Sequence, residues 1–101
     1  MTNIDQIIDS LTLDEKVSIL SGFNSWYTHK IKEKNVPSIK MSDGPNGVRG
    51  DSNSGKSSAC FPCAISIGST WDLALIKNIG IALGEEAQAK DVDVLLGPTI
   101  N

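Results

Sequence analysis

Ile39-Lys40-Met41-Ser42-Asp43-Gly44-Pro45-Asn46-Gly47-Val48-Arg49-Gly50 is the stretch on which the reading of this chain turns. A short extended run, Ile39 to Ser42, meets a carboxylate at Asp43. Gly44 and Pro45 then stop either a strand or a helix from continuing. Asp43 is therefore predicted at a strand end, on a loop of special backbone residues, with Arg49 close behind it. An ionised carboxylate accepts two or more hydrogen bonds from neighbouring hydroxyls, and a guanidinium offers a forked donor. Asp43 and Arg49 are thus candidate binding residues for a small polar ligand. The alternative for the same two residues is an ion pair that staples the loop.

A second buried strand is expected over Val92-Asp93-Val94-Leu95-Leu96, followed by Gly97-Pro98-Thr99. Between the two strands lies the clearest helix. Asp72 is its N-cap, Trp71 is placed to staple onto Ile76, and Ile76, Ile79, Leu83 and Ala87 form its apolar face. Gly80 and Gly84 on this helix suggest close packing against a neighbour, because each otherwise costs about 1 kcal/mol against Ala. Strand, helix and strand at this spacing imply a parallel pair joined by a right-handed crossover. The fold class is α/β, and the loops after both strands would then lie on one face, where strand–helix barrels build their sites.

Upstream, Asn3 can cap a first helix striped by Ile4, Ile7, Ile8 and Leu11. Thr12 and Glu15 form a capping box for a second, with Leu13, Val17 and Leu20 on its apolar face and Gly22 as its stop. Phe23 to Pro37 reads as irregular. Ala64 to Gly68 is open between a strand and a packed turn. At 101 residues there is room for one domain at most. A composition of 40% hydrophobic and 21% charged residues is that of a globular protein. The net charge of -3, with the basic residues scattered, argues against a nucleic-acid partner. No apolar run has membrane-spanning length, and Met1 to Asp5 is not a standard secretory start, so a cytoplasmic location is expected. The final strand has nothing after it to cover it, which suggests the front piece of a longer protein.

Several other motifs compete for attention. Gly50-Asp51-Ser52-Asn53-Ser54-Gly55-Lys56-Ser57 fits the phosphate-loop pattern letter for letter. The flanks do not supply the buried strand and the helix that the motif needs, and Pro62 would break the latter, so a polar loop is the better reading. Cys60-Phe61-Pro62-Cys63 has redox spacing, but a Ser-rich loop precedes it; two semi-buried thiols are expected. His29, the only histidine, cannot complete a zinc site with two cysteines, and reads as a surface residue. Glu85 and Glu86 diverge around a helix and do not make an acid/base pair. Trp26 and Tyr27 are either a sugar-stacking platform or core, with core the better expectation. No metal and no cofactor are expected.

Taken together, Ser42-Asp43-Gly44-Pro45-Asn46-Gly47-Val48-Arg49-Gly50 resembles the N-terminal signature of glycoside hydrolase family 3, especially its β-glucosidases. Leu11-Thr12-Leu13-Asp14-Glu15-Lys16-Val17, Leu20-Ser21-Gly22, Trp26, Phe61-Pro62, Thr70-Trp71-Asp72, Gly84-Glu85-Glu86-Ala87 and Val92-Asp93-Val94-Leu95-Leu96-Gly97-Pro98 follow in the family's order and spacing. The resemblance covers nearly the whole chain. It implies that residues 1–101 are the N-terminal part of a (β/α)8 barrel, without the rest of that barrel or the α/β sandwich domain that follows it. It also implies retaining hydrolysis of terminal β-D-glucosyl residues, from β-glucosides or short β-linked oligosaccharides. Asp43 then looks like the carboxylate that holds hydroxyls of the glucosyl unit, and Arg49 like the arginine lining that subsite.

In the family the nucleophile, the acid/base and the further sugar-binding Arg and Lys-His motifs lie beyond residue 101, so no residue here is expected to be catalytic. This segment alone should be inactive. A small non-catalytic carbohydrate-binding or interaction domain built on the same Asp43 loop is the alternative. Thiol–disulfide exchange through Cys60 and Cys63 is a third reading.

Overall fold

A computed structural model describes residues 3–50 and 55–99. They fall into two compact units, Met1–Lys40 and Met41–Asn101.

In the first unit, helix α1 (Asn3–Ser10) is followed by helix α2 (Leu13–Ser21). The capping box at the start of α2 is formed in both directions. Thr12 N–H donates to Glu15 Oε2 at 2.7 Å, and Glu15 N–H donates to Thr12 Oγ1 at 3.3 Å. The Glu15 carboxyl lies below its usual value, with the Thr12 N–H bond as the largest cause. Gly22 ends α2 at φ +75°, as a C-terminal stop requires. Beyond it, Tyr27 bridges Lys40 and Ile31 bridges Val36, both antiparallel, around a single 3-10 turn at Lys32–Lys34. Ile31 is buried.

The second unit carries the α/β arrangement. Strand β1 (Met41–Asp43) pairs in parallel with β2 (Val94–Leu96), in the register Met41–Val94, Ser42–Leu95, Asp43–Leu96. Helix α3 (Ala64–Gly68) and helix α4 (Leu73–Ala89) lie between them in sequence. Asp72 caps α4 as expected, its Oδ1 accepting from Leu75 N–H at 3.0 Å. The stretch left open between strand and turn is the short helix α3.

The staple does not form. Trp71 takes a left-handed φ of +53°, rare for an aromatic residue, and its side chain is 90% exposed. Nor, beyond the neighbouring residues and backbone of α4 itself, does any atom among the described residues come within 4 Å of where a Cβ would stand on Gly80 or Gly84, so the close packing expected there is absent among them. Ile76, Ile79, Leu83 and Ala87 are half-buried.

Large apolar side chains stand in solvent in both units, Leu13 and Leu20 in one, Ile65 and Leu73 in the other. Exposed apolar faces and a two-stranded sheet give little cooperativity. The isolated 101-residue chain is therefore expected to bind a dye such as ANS and to melt over a broad range. A sharp, monomeric, two-state melt without dye binding would contradict this.

Candidate functional site

Asp43 is the last residue of β1, and its register partner Leu96 is the last of β2, so both strands end at the same edge. The loops that follow them touch. A Cβ added to Gly97 would lie 3.0 Å from Pro45 Cα. The expectation that the loops after the two strands share one face is met.

The Asp43 loop is shaped by its backbone. Gly44 N–Cα sits at φ +143° and Gly47 at φ +148°. A Cβ on Gly44 would stand 1.9 Å from the Gly47 carbonyl oxygen, and one on Gly47 would stand 1.9 Å from that of Ala59. Only glycine fits either position. Ser42, fully buried, accepts from Gly50 N–H at 2.8 Å and donates to the Asp43 carbonyl at 2.9 Å. Arg49 N–H donates to that same carbonyl at 2.9 Å. The loop therefore folds back so that Asp43 and Arg49 leave the backbone side by side.

Their side chains are not stapled together. Arg49 Nη1 is 3.8 Å from Asp43 Oδ2, and the two side chains are 66% and 53% exposed respectively. That distance is too long for a hydrogen bond. An exposed ion pair of this kind contributes about 0–1 kcal/mol at most. The backbone bonds hold the loop, and the ion-pair alternative is not needed to explain its shape. The carboxylate and the guanidinium keep hydrogen-bonding capacity for a third party.

Beneath the loop lies an arrangement that the sequence reading passed over. Glu86, on α4, accepts from Val48 N–H through Oε2 at 2.8 Å and from Ala59 N–H through Oε1 at 2.8 Å. Lys90 Nζ donates to Glu86 Oε1 at 3.0 Å, to Ser58 Oγ at 2.6 Å and to the Val48 carbonyl. Val48 itself is fully buried, and the Lys90 and Glu86 side chains are 5% and 15% exposed. The signal was present as Glu and Lys at i, i+4 on a helix, the spacing at which such side chains meet.

Burial opposes ionisation of Glu86, but the Val48 and Ala59 N–H groups and the Lys90 ammonium outweigh it and hold the carboxyl below its ordinary 4.5. A depressed carboxyl stabilises the fold above its unfolded value and stops doing so as pH falls through the folded one. The melting-temperature gap between wild type and Glu86→Gln, measured in the full-length protein, is thus expected to be widest near neutrality. It should close once the pH is below the carboxylate range. A gap that widened with acid would reverse the assignment.

The other motifs resolve as follows. Cys60 and Cys63 are both exposed rather than semi-buried, and the segment between them is hydrogen-bonded to Asn46 of the Asp43 loop. Phe61 N–H donates to the Asn46 carbonyl at 2.7 Å, and Asn46 Nδ2 donates to the Phe61 and Pro62 carbonyls at 3.3 and 3.0 Å. In the phosphate-loop look-alike, Asp51, Ser52, Asn53 and Ser54 lie outside the described residues. Its Lys56 donates to the Ala89 carbonyl at 2.6 Å, and no helix follows before Ala64. His29 is half-buried, with Phe23 edge-on to its ring at 5.4 Å. Trp26 and Tyr27 are also half-buried, and Lys40 Nζ stands 5.8 Å from the Tyr27 ring. Among the described residues no group of three or more His, Cys, Asp or Glu side chains could hold a metal. No described helix is long and apolar enough to cross a membrane.

No family profile matches the chain. Individual relatives do. It is 52% identical over 100 residues to a β-glucosidase of Rhizobium radiobacter, a match covering 97% of this chain and 12% of that one. A crystal structure of the Kluyveromyces marxianus β-glucosidase in complex with glucose superposes with a TM-score of 0.90 at 40% identity, over 97% of this chain and 12% of that one. The Bifidobacterium adolescentis family 3 β-glucosidase does so with a TM-score of 0.79 at 39% identity, over 93% and 14%. The chain belongs to glycoside hydrolase family 3. It spans about 12% of the length of the curated relatives it matches. In this family 3 segment the loop carrying Asp43 and Arg49 is the part with polar groups presented and backbone locked.

Proposed function

We propose that this segment supplies part of the glucosyl-binding subsite of a retaining β-glucosidase. Asp43 accepts hydrogen bonds from adjacent hydroxyls of the terminal glucosyl unit, and Arg49 donates to the same unit. Residues 1–101 form the opening part of a (β/α)8 barrel, whose sites gather at the C-terminal ends of the strands. The substrate is a β-glucoside or a short β-linked oligosaccharide. The nucleophile and the acid/base, which must stand about 5–5.5 Å apart in a retaining enzyme, come from the remainder of the protein.

One observation carries the reading. A half-exposed carboxylate sits at the end of a parallel strand, beside the loop of the neighbouring strand, on a backbone pinned from both sides. Preorganised groups of this kind are what a site uses to hold a ring while its charge develops. The glucose bound in the Kluyveromyces marxianus relative supports a sugar as the ligand.

The test is hydrolysis of 4-nitrophenyl β-D-glucopyranoside by the full-length protein, followed by proton NMR of the first-formed sugar. β-Glucose is expected. α-Glucose would refute retention, and no hydrolysis of any β-glycoside would refute the enzyme reading in favour of a binding module.

A further inference from the structure

The loop that presents Asp43 and Arg49 is held by charged side chains buried against it. Both polar groups of Val48 are engaged by α4. Its N–H donates to Glu86 Oε2 at 2.8 Å, and its carbonyl accepts from Lys90 Nζ and from Ser58 Oγ, the latter at 2.7 Å. The peptide joining Val48 to Arg49 is therefore fixed at its oxygen by Lys90 and Ser58 and at its N–H by the Asp43 carbonyl, 2.9 Å away. The next peptide, Arg49 to Gly50, is fixed at its N–H by buried Ser42. These two peptide planes set φ and ψ of Arg49 and so the direction in which its side chain leaves the backbone. Gly50, at φ +62°, completes the seat, since a Cβ there would come within 3.1 Å of the Lys90 stem.

We propose that Glu86 and Lys90 are positioning residues for Arg49. Their buried ion pair aims the guanidinium at the sugar rather than merely holding α4 to the loop. The proposal rests on the reading of Asp43 and Arg49 as sugar ligands. Its logic is that of outer groups orienting the ones that touch the ligand, where an error near 1 Å costs about a hundredfold in rate.

A double-mutant cycle in the full-length protein tests it. Kinetics with 4-nitrophenyl β-D-glucopyranoside are measured for wild type, Glu86→Gln, Arg49→Ala and the double variant, at a temperature where circular dichroism shows all four folded. Glu86→Gln is expected to lower kcat/KM by about tenfold to a hundredfold. It should weaken inhibition by glucose in parallel. In the Arg49→Ala background it should change kcat/KM by less than about twofold, because its effect runs through the side chain already removed. Lys90→Met, which removes the ammonium from the Val48 carbonyl and breaks the ion pair, provides the same cycle should Glu86→Gln fail to fold. Its loss should likewise vanish without Arg49.

An equal loss in both backgrounds would overturn the proposal and leave Glu86 a stability residue. So would normal kinetics of Glu86→Gln alongside a crippled Arg49→Ala, and in that case the sugar-binding reading survives. If Asp43→Ala and Arg49→Ala both keep wild-type kcat/KM, the sugar-binding reading has failed and this proposal falls with it.

Discussion

Asp43→Ala in the full-length enzyme is expected to lower kcat/KM for β-glucosides by about a hundredfold to ten-thousandfold. A hydrogen bond to a charged group contributes about 1.5–3 kcal/mol, and Asp43 has oxygens for two hydroxyls. Two such bonds amount to about 3–6 kcal/mol, and each 1.36 kcal/mol is tenfold in rate. The side chain is half exposed and has only the distant Arg49 as its charged neighbour among the described residues, so its removal costs the fold little. The loss should therefore appear in steady-state kinetics without a matching fall in melting temperature. Interactions that strengthen as the ring distorts toward its oxocarbenium-like state would place much of the loss in kcat. Asp43→Asn, which keeps one acceptor and the shape, should lose less than Asp43→Ala. Wild-type kcat/KM for Asp43→Ala would remove the substrate-holding role altogether.

Gly47→Ala should have a large effect on the structure of the loop. The added Cβ would stand 1.9 Å from the Ala59 carbonyl oxygen, a backbone atom that cannot swing aside as a side chain would. The φ of +148° is itself unfavourable for any residue with a Cβ, by about 1–3 kcal/mol. Moving the Ala59 backbone in turn disturbs the Ala59 N–H bond to Glu86. A total cost of about 3 kcal/mol or more is expected, with activity lost as the Asp43 loop deforms. Melting temperature and kcat/KM of purified Gly47→Ala measure it. An unchanged melting temperature with full activity would mean that the turn tolerates a side chain.

Much of this was legible from residues whose partners are near in sequence. The Thr12–Glu15 capping box, the Asp72 cap and the break at Gly44-Pro45 are set within a few positions, so local chemistry was enough to place them. The same holds for the strand end at Asp43 and for the parallel partner over Val94–Leu96, where hydrophobic runs and the intervening helix constrain the pairing. What lay hidden depends on distant contacts. Val48 meets Glu86 and Lys90 across separations of 38 and 42 residues, and nothing local announces that a loop carbonyl will need an ammonium. Trp71 fails for the opposite reason. Its spacing to Ile76 fits a staple, but the turn linking α3 and α4 puts its backbone in the left-handed region and carries the ring away. The spacing of the cysteines and the Ser-rich loop before them suggest packing thiols, whereas both are exposed and the residues between them are bonded to Asn46, 15 and 16 positions away.

The dependence of the Asp43 loop on α4 and β2 has a consequence for synthesis. A ribosome extrudes Asp43 and its glycines well before Glu86, Lys90 and Val94 exist, so the nascent loop has no seat for Val48 and no strand to pair with. Parallel pairing of this kind is slow because the intervening chain must first be gathered in. During that interval the unpaired strand β1 and a glycine-rich turn trail in solvent, open to mispairing with neighbouring polysomal chains. Only once Glu86 and Lys90, and then β2, have emerged does the loop gain both its seat and its neighbour.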